Sequence, residues 1–211
     1  VELRTVLRHY RALVQPAPDS RRPVGKSRVH DRPRPRRQAG APELPTGRGP
    51  ASVPELPVLD RVFAALDVAG DALLASPVPA VPCHNDPSPG NLLDDGRRIV
   101  LVDWEHAALG DPAWDVAAVA TEARLGMDEA YGVIVAHLGR EPRLAEAARV
   151  IVHMAGLEAI GALWALVQLA HGNRAADFED YASERLARAT AWVDSGALAK
   201  AVAGVRSRAD R

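Results

Sequence analysis

Apolar residues return every three or four positions through much of the chain, and that spacing predicts helices. Over 58–75 the repeat runs through Leu59, Val62, Phe63, Leu66 and Leu73. Asp111 is a good N-cap and Pro112 suits the position after it, so a helix is expected from there to about Arg124. Residues 127–138 read as another helix, stopped by Gly139. The longest one opens at Pro142 and runs to about His171, where Gly172-Asn173 ends it. Val150, Ile151, Met154, Leu157, Ile160, Leu163, Leu166 and Val167 form its apolar side. Asp177 caps a last well-marked helix over 178–193. Residues 1–14 also set Leu3, Val6, Leu7, Tyr10, Leu13 and Val14 on one helical face. Between Val81 and Val102 the period changes. Asn91-Leu92-Leu93, the turn Asp94-Asp95-Gly96 and the run 99–102 read as a β-hairpin, since Asp-Gly favours the backbone a tight hairpin turn needs.

The patterning fails over 15–57, which is crowded with Pro and Arg, as in Arg32-Pro33-Arg34-Pro35-Arg36-Arg37. With almost no apolar clusters, such a stretch buries too little surface to offset its ordering entropy, so a disordered linker is expected. Gly25-Lys26-Ser27 within it is not a phosphate loop. Ser20 stands where the leading glycine belongs, and no apolar strand precedes it. The chain therefore divides into a helical remnant (1–14), the linker (15–57), an α+β, mostly helical domain (58–195) and a weakly helical basic tail (196–211).

Charge and composition narrow the function without naming it. A net charge of −1 argues against a nucleic-acid or membrane-surface binder. Cys83 is the only cysteine, so no internal disulfide forms and a cytoplasmic setting is expected. No apolar run reads as a membrane span and no signal peptide is visible. Cys83 has no activating base in sequence and reads as packing. His153 and His171 lack a second ligand at metal spacing, so core or surface roles are expected for them.

The chemistry concentrates in 81–119. His84-Asn85-Asp86 is followed five residues later by Asn91, and Asp103 stands twelve beyond that. The hairpin brings Asn91, before one strand, near Asp103, after the other. Phosphoryl transfer needs that layout. Mg²⁺ takes oxygen ligands and keeps several waters, so one carboxylate and one amide oxygen suffice. A separate carboxylate must accept the proton of the attacking hydroxyl. The spacing H-x-D-x-x-x-x-N followed by D is the catalytic-loop and metal-Asp pattern of the protein kinases, here with Asp103-Trp104-Glu105 at the second site.

The stretch resembles the aminoglycoside phosphotransferase and choline/ethanolamine kinase superfamily, over about residues 59–193. The resemblance implies a protein-kinase-like C-terminal lobe with ATP and Mg²⁺ as donor and cofactor. It implies Asp86 as catalytic base, Asn91 and Asp103 as Mg²⁺ ligands, and His84 as loop support. It also implies Asp115 as the buried acid that holds the catalytic-loop backbone. A full enzyme of this kind has a strand-rich N-terminal lobe with a clamp lysine. No alternating strands precede Val81, so that lobe is expected to be missing or degenerate, through a fragment, a truncated product or misread coding sequence. The chain alone is then expected to bind Mg²⁺-ATP weakly and to turn over little.

Asp-Trp-Glu, the run 162–168 and DFEDYASERL resemble the bacterial choline kinase-like branch, which implies a small, hydroxylated, cationic acceptor. Trp104, Trp164 and Tyr181 with Glu105 could supply the aromatic faces and the acid for it. Trp114 and Trp192 read as packing. An aminoglycoside acceptor and a non-catalytic lobe remnant are the alternatives.

Overall fold

The computed structural model describes residues 56–207; the expectations for 1–14 and nearly all of 15–57 lie outside them. The helical spacing is realised as six helices among the described residues. They are α1 (Leu56–Ala75), α2 (Pro112–Glu122), α3 (Met127–Leu138), α4 (Leu144–Ala170), α5 (Phe178–Asp194) and α6 (Ala197–Arg206). Their ends follow the predicted signals. Asp111 accepts the Ala113 N–H at 3.0 Å, Gly139 takes a left-handed φ of 64°, and Asp177 accepts the Asp180 N–H at 3.1 Å. Four short strands sit between α1 and α2: β1 (Val81–Cys83), β2 (Leu92–Asp94), β3 (Ile99–Leu101) and β4 (Ala108–Gly110).

The predicted hairpin is β2–β3, antiparallel, with Leu92 opposite Leu101 and Asp94 opposite Ile99. Its turn is tied by the Asp94 and Asp95 carboxylates, which accept the N–H groups of Gly96 at 2.7 Å and Arg97 at 2.9 Å. A second antiparallel pair, β1–β4, sets Val81 opposite Gly110 and Cys83 opposite Ala108. Ala108-Leu109-Gly110 is too short and too poor in β-branched residues to announce a strand. The two pairs bracket the loop 84–91 and bring its start beside the turn Trp104–His106.

The core forms where α1, α4 and α6 meet. Val62 and Leu66, Val152 and Leu163, and Val202 and Val205 are buried together with Trp114 of α2. A second cluster joins α2, α3 and α4 through Val116, Ile134, Val150 and Met154. Two expectations need correction. The segment beyond Gly196, read as a basic tail, is helix α6 with Leu198, Ala201, Val202 and Val205 in the core. That face sets Ala201 and Gly204 among Leu198, Val202 and Val205, and a Cβ on Gly204 would stand 2.8 Å from that of Ala148 on α4. Helix α4 is also long and apolar enough, by length and composition, to cross a bilayer, with a window of mean hydropathy 1.9. Of that window 72% is buried inside the fold, because α4 is the central core helix.

Candidate active site

The chain leaves β1 into a loop that cannot pair its own backbone, and one carboxylate satisfies it. Asp115, in the first turn of α2, accepts the His84 N–H at 2.7 Å and the Asn85 N–H at 2.8 Å. His84 is fully buried and braces the loop from beneath. Its Nε2–H donates to the Val102 carbonyl at 2.9 Å, and its Nδ1 accepts the Asp86 N–H at 3.2 Å. These contacts select the tautomer protonated on Nε2. Asn85 sits at φ 67°, a left-handed conformation that Asn tolerates better than most residues. Its side chain donates to the His106 carbonyl at 2.7 Å, and its carbonyl accepts the Trp114 indole N–H at 3.2 Å. Trp114 is thus core packing that also holds the loop.

Asn91 closes the loop on itself. Its Nδ2 donates to the Asp86 carbonyl at 2.9 Å and to the Asp86 carboxylate at 3.1 Å. Both partners are acceptors, which fixes the amide and leaves Oδ1 for another ligand. The Val102 N–H donates to the Asn91 carbonyl at 2.9 Å, extending the hairpin by one rung to the residue before Asp103. Asp103 follows at φ 66°, ψ 60°, with no capping bond from its side chain. Asp is among the few non-glycine residues that visit this region, and positions held there cluster at functional sites.

The donor set fits Mg²⁺ in a particular way. Among the described residues no group of three or more His, Cys, Asp or Glu side chains could hold a metal alone. One amide oxygen and one carboxylate do suit an ion that takes its remaining ligands from water and phosphates. Asn91 Oδ1 and the Asp103 carboxylate are the residues that would hold it.

The expected acceptor residues divide into two pairs. Trp104 packs edge-on against His84, ring centroids 4.8 Å apart, with its indole N–H on the Leu101 carbonyl at 2.9 Å. Glu105 is 71% exposed, with only His106 near it at 3.6 Å. Trp164 meets Tyr181 edge-on at 6.0 Å and Phe178 at 5.3 Å. Among the described residues no ring contact joins the two pairs. Glu122 stands near Tyr181, bridged to it by Arg185. Arg185 Nη2 donates both to the Tyr181 hydroxyl at 2.7 Å and to the Glu122 carboxylate. Sequence reading missed Glu122. The available signal was spacing: seven residues after Asp115, it lies two turns, about 10 Å, along the same side of α2.

A buried charge network underlies that pair. Arg185, with a side chain 3% exposed, also donates to Glu158 at 3.1 Å, and Arg188 bonds the other Glu158 oxygen at 2.8 Å. Burial would lower the Arg185 pKa, but the bonds and charge of Glu122 and then Glu158 raise it instead. Cys83, buried behind the loop, has its thiol 3.4 Å from the Val81 carbonyl, and burial pushes its pKa up. That is opposite to what a nucleophile needs.

The comparisons with known proteins agree on where these features belong. A model of the phosphotransferase enzyme family matches residues 5–147. Protein LicA of Haemophilus influenzae is 31% identical over 111 residues, which cover 50% of this chain and 40% of that protein. A choline/ethanolamine kinase family protein from Mesorhizobium loti superposes with TM-score 0.69 at 33% identity, over 74% of this chain and 53% of that one. Choline kinase LicA from Streptococcus pneumoniae, 20% identical, shares the fold at TM-score 0.59 over 92% of this chain and 56% of its own. The chain spans about half the length of these relatives.

Proposed function

The chain belongs to the phosphotransferase enzyme family, and from that premise we propose that it transfers the γ-phosphoryl group of ATP to a hydroxyl of a small cationic alcohol of the choline or ethanolamine kind. The observation that carries this reading is the closed loop, in which Asp115 holds two backbone N–H groups and Asn91 holds Asp86. Asp86 takes the proton of the acceptor hydroxyl as its oxygen attacks the γ-phosphorus and the bond to the β–γ bridging oxygen breaks. The Asn91 Nδ2 contact keeps the Asp86 carboxylate aimed while that proton moves. His84 fixes the loop against Val102 so that Asn91 and Asp103 stay at the same end of the hairpin. Bound through Asn91 Oδ1 and Asp103, Mg²⁺ would offset the negative charge of the phosphates.

Two observations support the acceptor class. The Mesorhizobium loti relative is named as a choline/ethanolamine kinase family protein. Trp164 and Tyr181 supply aromatic faces of the kind that attract an ammonium group, with Glu122 near Tyr181 in an ion pair with Arg185, whose guanidinium also lies 5.0 Å from the Tyr181 ring centroid. Glu122 lies on the side of α2 that also carries Asp115, so the acceptor would lie alongside α2 with its hydroxyl toward Asp86. Release of ADP, measured for the chain in its full gene context with Mg²⁺-ATP and choline, ethanolamine or kanamycin, tests the reading. Turnover is expected with choline or ethanolamine, and Asp86→Ala should lower kcat by about 10³-fold. An Asp86→Ala enzyme with undiminished kcat would remove Asp86 from the role of base, and turnover with kanamycin alone would replace the acceptor.

A further inference from the structure

A cavity of about 140 Å³ lies between α2, α3 and α4, on a face of α2 other than the one that carries Asp115. Val78, Val116, Ile134, Leu138, Val150 and Val205 make its walls apolar. Its volume is close to that of dry cavities, about 150 Å³, that take a benzene ring. Five polar side chains line it: Asp111, His137, Glu146, Arg149 and Ser76, whose hydroxyl donates to the Val205 carbonyl at 3.3 Å.

The two carboxylates are already paired, each with three donors. Asp111 accepts from the Ala113 N–H, from Arg149 and from His153 at 3.0 Å. Glu146 accepts from Arg140 at 2.7 and 2.9 Å and from the Arg143 N–H at 2.8 Å. Both are held ionised, at about 2, by these bonds. The donors are not spent. Arg149 uses Nε on Asp111 and Nη1 on the Ser76 carbonyl at 2.8 Å, and its Nη2 has no partner among the described residues. The exposed His137 ring has none either. The unpaired groups at this cavity among the described residues are the Arg149 Nη2 donor and the His137 ring, beside an apolar interior of one ring's size.

We propose that this cavity binds a small monocarboxylic acid with a compact apolar body, its carboxylate on Arg149 Nη2 and His137 and its body between Val116, Ile134 and Val150. An amine of the same shape would meet the guanidinium instead of an acceptor. A neutral alcohol would fill the space but forgo the charge-assisted bond. Asp111 on the cavity wall caps the helix whose first turn carries Asp115, so occupancy is felt at the catalytic loop.

The test uses the whole chain with methyl and amide NMR and three probes of equal size: benzoate, benzyl alcohol and benzylamine. Benzoate is expected to shift the methyls of Val116, Ile134 and Val150 to saturation, with the His84 and Asn85 amides moving at the same midpoint. Benzyl alcohol should bind at least about fivefold more weakly, from the loss of the charged hydrogen bond. Benzylamine should shift none of them. Because Arg149 also supports the fold, the variants are His137→Ala, which should weaken benzoate, and Ala145→Leu, which fills the cavity and should abolish its binding. No methyl shift with benzoate at tens of millimolar, equal shifts with benzylamine, or unchanged binding in Ala145→Leu would each overturn the proposal. Methyls that shift while the His84 and Asn85 amides stay still would overturn the link to the loop.

Discussion

At Asp115 one carboxylate closes two backbone donors that the loop after β1 would otherwise leave unpaired. Charged hydrogen bonds of this kind contribute about 1.5–3 kcal/mol each, and unpaired buried groups cost a similar amount. Asp115→Ala is therefore expected to lose about 3 kcal/mol in urea unfolding and to release amide protection at His84 and Asn85 first. Unchanged protection at those two amides would show that the loop is held by something else. Asp111 sets a pH dependence. Burial alone would raise its pKa, but the hydrogen bond and charge of His153, with those of Arg149, hold it at about 2, below its ordinary value of 3.8. A depressed carboxyl stabilises fully above its unfolded pKa, and that stabilisation is lost as pH falls through the folded value. The contribution is about 2 kcal/mol, lost between roughly pH 4 and pH 2. Urea midpoints at pH 5 and pH 2.5 should fall less in Asp111→Asn than in the wild type; an equal fall would rule the pair out as its source.

The helices show why pattern and packing are separate questions. α4 has the length and composition of a membrane span, yet most of its apolar window faces α1, α5 and α6. α6, expected as a tail, buries Leu198, Ala201, Val202 and Val205 and sets Gly204 close to Ala148 of α4. Gly204→Ala tests that closeness. Alanine is the better helix former by about 1 kcal/mol, but its Cβ would lie 2.8 Å from that of Ala148. Separating the helices should cost more than the propensity gains, for a net loss of about 1–3 kcal/mol in thermal unfolding. A raised Tm would mean that the α4–α6 contact has slack. The hairpin was legible for a local reason. Asp94, Asp95 and Gly96 make its turn from their own side chains and backbone, without tertiary help.

Across the molecule, Arg185 joins α5 to Glu122 on α2 and Glu158 on α4, and Gly161 leaves room for it. A Cβ at Gly161 would stand 3.1 Å from the Arg185 Nε. Removing one partner of a buried ion pair leaves the others uncompensated, so Arg185→Ala should cost about 3–5 kcal/mol by denaturant unfolding. A loss below about 1 kcal/mol would show that water reaches the carboxylates once the guanidinium is gone.

The candidate site loop was readable because its residues lie close in sequence. Asp86, Asn91 and Asp103 lie within one hairpin's reach, Asp111 and Asp115 sit in the first turn of the helix that follows, and turn and cap residues announce themselves locally. Their spacing marked the candidate site, and the helical patterning with the family resemblance gave the fold class. Tertiary structure decided everything that depends on distant helices meeting. It joined β1 to β4, whose residues carry no strand pattern. It turned the expected tail into a core helix by burying Leu198, Ala201, Val202 and Val205 against α1 and α4. It brought Glu122 near Tyr181, because an arginine sixty-three residues from Glu122 holds both it and the tyrosine. Local signals fix where elements start and stop; which of their charged side chains share a site depends on burial and distance, which only the packed chain sets.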